Sequence, residues 1–274
     1  MANLRAIRMR IKSVESTRQI TKSMKMVAAA KLRKTQSASN RQRSFAGKAA
    51  QILQSLGASA GDNPYCRRRA ESKKVCYVLL VGNRGLCGTY NHSLLRFFEE
   101  LRSGEERESL LYVLGRWGRD QITGAERRFE ISDAPTAEEA RELTETLKKL
   151  YTDGAADEIV LVYQQFKSVL QQEPTARTLL PLKLPEGGEK SDVILEPDEK
   201  SVLDRLVELV LQNTVHSVLL EGRTGEHAAR MTAMTSASDN TEELIQELTL
   251  ELNHARQAAI TTEISEIVGG AAAI

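Results

Sequence analysis

Residues Ile11 to Lys34 read IKSVESTRQITKSMKMVAAAKLRK, without a proline or a glycine. They belong to a longer stretch, from about Asn3 to about Leu56, that holds no proline and one glycine, Gly47. Leu4, Ile7, Ile11 and Val14 step by three and four, and Ile20, Met24 and Val27 continue with a shift of phase. That spacing predicts a helix with a narrow apolar stripe. Fifty-odd helical residues span roughly 80 Å at 1.5 Å each, more than a compact domain of this size can bury. The charge is lopsided as well. Thirteen bases lie between Arg5 and Lys48, against a single acid, Glu15. Such an excess must face something acidic or repel itself in solution.

The other end of the chain repeats the pattern. Asp198 is placed as an N-cap after Pro197, and no proline follows it. Val202, Leu206, Leu209 and Val210 lead on to Met231, Met234, Leu244, Leu248, Leu252, Ala255, Ala259 and Ile264. Gly222 and Gly225 interrupt this stripe and predict a kink or loop. Read as one helix, about seventy residues reach roughly 105 Å. Each stripe needs a partner, and the simplest is the other stripe, in an antiparallel coiled coil. The C-terminal helix then overhangs. Its small, apolar end, Gly269 to Ile274, suits a tight apolar sleeve.

Between the helices the pattern changes. After breakers from Gly57 to Glu71, Val75 to Val81 (VCYVLLV) is a continuous apolar run, the mark of a strand buried on both faces. A helix is predicted over Asn91 to Leu101, a strand over Ser109 to Leu114, a helix over Thr136 to Tyr151 and a strand over Asp157 to Phe166. Thr136 and Glu139 form a capping-box pattern. Strands alternating with helices argue for a small Rossmann-like α/β domain. The fold class is therefore α/β, a long antiparallel coiled coil of N- and C-terminal helices with that domain inserted. The divisions are 1–57, 72–197 and 198–274.

Composition narrows the function. Lys and Arg (38) nearly balance Asp and Glu (37), so the whole chain is not a general polyanion binder. Cys66, Cys76 and Cys87 are odd in number and form no CxxC pair, which argues against a disulfide framework or a zinc site. His92, His216, His227 and His254 are scattered, without metal-ligand spacing. No apolar run reaches eighteen residues, so no span is expected. The basic N-terminus lacks the apolar core of a secretory signal, and no transit peptide is expected before it.

Two segments invite other readings. Gly82-Asn83-Arg84-Gly85-Leu86-Cys87-Gly88 lies between a strand and a helix, as a phosphate-cradling turn would. Its GxxGxxG spacing is not that of a dinucleotide site, and it lacks the Lys-Ser/Thr of a P-loop. The plainer reading is a tight turn that needs φ > 0. The basic N-terminal helix could grip nucleic acid by its phosphates, but it offers almost no aromatic residues for base stacking. The rival functions are thus an α/β nucleotide-binding protein with helical extensions and a nucleic-acid-binding coiled coil. In Met231 to Asn240 (MTAMTSASDN), coiled-coil packing competes with a smooth surface for changing partners.

Ile11 to Lys34, Glu226 to Asn240 (EHAARMTAMTSASDN) and Leu252 to Ile274 (LNHARQAAITTEISEIVGGAAAI) together resemble the γ subunits of bacterial F-type ATP synthases, in order and spacing. Arg84 to Gly88 (RGLCG) is similar to that family's turn. The resemblance implies a central-stalk rotor without catalytic residues or cofactors of its own. It would turn inside a hexamer of α and β subunits and stand with ε on the membrane c-ring. Neither nucleic acid nor a membrane span is expected. The location implied is peripheral, on the cytoplasmic face of the bacterial cell membrane. Residue by residue, Arg256 and Gln257 match a pair that engages a β-subunit loop. Met24, with Lys25, matches a position facing an acidic β-subunit loop, Arg230 a basic shaft residue, and Glu196 the region near the ring and ε. The sequence departs from the family at Thr89-Tyr90-Asn91, where Gly-Leu-Asn is usual, and at Asn83, where Asp is common. It also lacks the cysteine-bearing insertion of the chloroplast relatives.

Overall fold

The computed structural model describes residues 2–55, 63–67, 72–182 and 198–272. Two helices dominate the element order: α1 (Ala2–Ser55) and α4 (Glu199–Ala272). Asp198 caps the latter, accepting the Ser201 N–H at 2.9 Å. Between them lie β1 (Lys74–Leu80), α2 (Tyr90–Ser103), β2 (Glu108–Leu114), β3 (Arg127–Phe129), α3 (Ala137–Thr152), β4 (Glu158–Phe166) and β5 (Gln172–Leu180).

The sheet order is β3-β2-β1-β4-β5, parallel except for β5. The chain builds β1, β2 and β3 outward, then returns through α3 to place β4 on the other side of β1. The order therefore reverses between β1 and β4. In open α/β sheets such a switch point opens a crevice at the carboxyl ends of the strands. Side chains alternate along β1. Val75, Tyr77 and Leu79 pack with Leu94 and Phe98 of α2. Cys76, Val78 and Leu80 face Leu143 and Leu147 of α3 and Val207, Leu211, Val215 and Leu219 of α4. Both faces are covered, which is why the run reads as continuously apolar.

Packing divides the chain into two compact units, Met1–Ala28 with Met231–Ile274, and Ala29–Arg230. In the first, the covered positions of α1 include Ile7, Ile11, Val14, Arg18, Thr21, Lys25 and Ala28, with Leu4 before them and Met24 half-buried beside Lys25. Those of α4 include Met234, Ser238, Thr241, Ile245, Leu248, Leu252, Ala255 and Ala259, with Leu244 and several residues from Met231 to Ala237 half-buried beside them. Both series alternate steps of four and three, the signature of coiled-coil packing. Arg18 pairs with Glu242 across them. In the second unit, Gln42 bonds to Asn213, and Asn63, further along the chain, bonds to Asp204. The numbering runs in opposite directions, as antiparallel helices require.

Three expectations need correcting. The stripe of α1 does not shift phase at Ile20. Ile20 and Val27 are 57% and 55% exposed, and the seam keeps its register through Arg18, Thr21, Lys25 and Ala28. Register set by the first turns outweighs the hydrophobicity of later residues. Gly222 and Gly225 neither kink nor break α4. They let the sheet come close, since a Cβ on Gly222 would lie 2.4 Å from Leu80 Cδ2. Finally, β3 and β5 were not predicted. β3 has three residues. β5 is polar and carries Pro174, which its edge position tolerates.

Candidate functional site

The crevice at the carboxyl end of β1 is filled by the chain itself. α4 is buried on every side from Val218 to Ala228, and it brings Arg223, Glu226, His227 and Arg230 against the glycine turn. Arg223 and Glu226 are each 1% exposed. The Glu226 carboxylate accepts Arg223 Nη1 at 2.8 Å and Arg230 Nη2 at 2.7 Å. It also accepts the backbone N–H of Asn83 at 3.1 Å and of Arg84 at 3.4 Å. These turn amides are the donors a phosphate would use, and an internal carboxylate already holds them. A Cβ on Gly82 would lie 3.0 Å from Asn91 Oδ1 and 3.1 Å from Glu226 Cδ, so closeness, not φ, requires glycine there. Gly88 and Leu86 are the turn residues with positive φ, both 59°.

Carbonyls complete the cluster. Arg223 donates to Val81 O, Ser132 O and Ile131 O at 3.2–3.3 Å, and to Asn83 Oδ1 at 2.9 Å. Arg230 donates to Arg84 O at 3.1 Å and Gly85 O at 3.2 Å. Burial opposes the Glu226 charge, but the two guanidiniums and the turn amides outweigh it and keep its pKa below the usual carboxylate range. Burial lowers the pKa of His227 and raises that of the Cys87 thiol. Asn83 Nδ2 donates to Asp133 Oδ1 at 3.0 Å, and Asp133 pairs with Lys31 of α1. The side-chain amide at Asn83 thus supplies a donor to Asp133 that an aspartate would lack. A polar chain runs from α1 through the turn to α4.

The sequence-predicted residues fall in different places. Met24 and Lys25 are half-buried on α1, and Arg256 and Gln257 are exposed on α4 beside the end of its seam. Arg230 is buried and bonded within its own chain. Glu196 lies outside the described residues. Arg223, Glu226 and Asp133 were not singled out from the sequence. The available signal was three charges at i, i+3 and i+7 (Arg223, Glu226, Arg230), with Glu221, Thr224 and His227 beside them, following the apolar Val218 to Leu220 and interleaved with two glycines. Among the described residues, no group of His, Cys, Asp and Glu could hold a metal, and no helix is long and apolar enough to cross a membrane.

A family described as ATP synthase matches residues 3–274. The chain is 42% identical over 282 residues to an ATP synthase gamma chain of Moorella thermoacetica, covering 100% of each. It is 40% identical over 281 residues to the ATP synthase gamma chain of Desulfitobacterium hafniense, again covering 100% of each. Among solved structures it is similar to the rotor of Euglena gracilis mitochondrial ATP synthase, with a TM-score of 0.69 and 20% identity over 94% of this chain and 99% of that one. It is also similar to the central stalk/c-ring of Tetrahymena thermophila mitochondrial ATP synthase, with a TM-score of 0.60 and 22% identity over 80% of this chain and 99% of that one. The structural likenesses carry the fold, and the sequence identities, spanning both chains end to end, carry the family. The chain belongs to the ATP synthase gamma chain family.

Proposed function

We propose that this chain is the central-stalk rotor subunit of an F-type ATP synthase, carrying torque between an ion-driven membrane ring and a catalytic hexamer of α and β subunits. The observation that carries the reading is α4 itself. One helix is enclosed on all sides over residues 218–228 and exposed on all sides over 260–269. The enclosed part belongs to a body that can receive force, and the exposed part has surface to spare for a surrounding partner. The chain performs no bond-making chemistry in this reading, which the occupation of the turn amides by Glu226 supports.

Arg256 and Gln257 then engage a β-subunit loop, and Met24 with Lys25 faces an acidic one. Exposed ionic contacts of this kind are individually weak and steer without trapping. Arg230 serves as a basic shaft residue whose guanidinium holds the carbonyls of Arg84 and Gly85. Glu196 contributes on the side of ε and the ring. The location is peripheral, on the cytoplasmic face of a bacterial membrane.

The test is co-purification. The tagged chain, taken from gently solubilised membranes of its own host, is expected to bring α, β and ε subunits with ATPase activity. The Arg256→Ala/Gln257→Ala double variant is expected to weaken assembly or coupling while the α/β unit stays folded. Recovery of the chain alone, or with nucleic acid, contradicts the reading.

A further inference from the structure

The α/β unit holds α4 by two kinds of contact. From Leu203 to Leu219 the contact is mainly apolar, with Lys148–Glu208 at 3.5 Å and His216 Nε2–Pro135 O at 3.2 Å as half-buried polar contacts beside it. Such burial is strong but non-directional, and apolar side chains can repack after a small slip. From Gly222 to Arg230 the contact is directional. Tyr90 Oη donates to Gly222 O at 2.7 Å, and Leu80 fills the space left by the missing side chain of Gly222. Arg223 reaches three backbone carbonyls of the sheet unit, and Glu226 takes two backbone amides of the turn. One residue of slip turns a helix by about 100°, which would part every one of these bonds. Charged groups so deeply buried have no water to replace lost partners.

We infer that Arg223 and Glu226 are positioning residues that form the joint through which twisting force passes between the α/β unit and α4; this rests on the rotor reading above. The apolar stretch supplies adhesion, and the ion pair with its backbone partners fixes the angle. The contact from Asn83 through Asp133 to Lys31 extends the joint to α1. Arg223 and Glu226 are each 1% exposed, so losing the joint is expected to leave the exposed residues of α4 unchanged and to loosen only the link between α4 and the α/β unit.

The experiment uses the assembled ATP synthase in sealed vesicles, wild type against Glu226→Gln, reading ATP hydrolysis and ion pumping together. Hydrogen exchange at Asn83 and Arg84 is followed in the same preparations. ATP hydrolysis is expected to persist, ion pumping per ATP to fall by roughly fivefold or more, and the two turn amides to exchange faster. A lower yield of complex with an unchanged pumping ratio would mean a merely structural role and overturns the joint. If Glu226→Gln does not assemble, Asn83→Ala removes contacts on the turn and leaves both ion pairs in place. It too is expected to lower the ratio, and an unchanged ratio there overturns the proposal. A wild-type chain that recovers no ATPase overturns the rotor reading, and the joint with it.

Discussion

Two stretches of α4, one inside the helix and one at its C-terminal end, are made differently. Residues 218–228 are buried on every side, and Arg223 and Glu226 among them are bonded inside the protein. Among the described residues beyond Ala259, 260–269 are all exposed. Ile264, Ile267 and Val268 are exposed although apolar. One stretch owes its structure to its own chain, whereas the other is a helix waiting for surroundings. A single covalent rod can therefore be fixed at one place and left free to serve a partner at another. Residue type does not announce which is which, because the charged residues lie inside and the apolar ones outside.

The largest expected effect falls on the fixed part. Glu226→Gln leaves two guanidiniums without their carboxylate, and breaking a buried ion pair in this way costs about 3–5 kcal/mol. Denaturant unfolding of the full-length chain measures it. Gly222→Val comes next. Its Cβ would overlap the fully buried Leu80, and such overpacking costs about 1–3 kcal/mol, read as a lower unfolding midpoint. An unchanged midpoint would mean that the sheet and α4 are not in close contact at that glycine.

A second polar cluster, at the amino ends of the central strands β2 and β4, sharpens the contrast through pH. The side-chain hydrogen bond from Arg107 holds Glu105 at about 2, against 4.5 ordinarily, and Tyr77 also donates to it. A carboxyl whose pKa is lowered by folding stabilises the fold fully above its unfolded pKa and loses that contribution as pH falls through the folded value. Stability is thus expected to drop as pH falls from about 4.5 toward about 2. Glu105→Gln is expected to flatten that part of the stability curve relative to wild type. Parallel curves would remove Glu105 from the acid response. The smallest effect belongs to the free end. Ile264→Ser with Ile267→Ser is expected to move the stability of the isolated chain by less than about 0.5 kcal/mol, again by denaturant unfolding.

Much of this fold is legible in the sequence because its signals are local. The VCYVLLV run is β1, the spacing of three and four is α1, and Thr136 with Glu139 forms the capping box that opens α3, with Glu139 N–H donating to Thr136 Oγ1 at 3.2 Å. What escaped depends on neighbours far along the chain. β5 is polar and is made a strand by pairing with β4, with Thr175 opposite Tyr163. Ile20 reads as stripe and is not, because register was set earlier at Ile7 and Ile11. Gly222 and Gly225 read as breakers, since Leu80 and Tyr90, which need the space, lie more than a hundred residues away. The roles proposed for Arg256 and Gln257 rest on resemblance, because both side chains are exposed and their burial gives no sign of a role. The Arg223–Glu226 pair was missed for the opposite reason. All its partners are internal, and charges spaced by three on a helix ordinarily read as a solvated face.

The central claim is that α4 is fixed at one place by its own chain and covered at its end by a partner. Hydrogen exchange on the full-length chain alone, and on the same chain within the assembled synthase, tests both halves at once. The amides of 220–228 are expected to exchange slowly in both states, and those of 256–272 quickly alone and slowly in the complex. Fast exchange of 256–272 in the complex, or of 220–228 in the isolated chain, would contradict it.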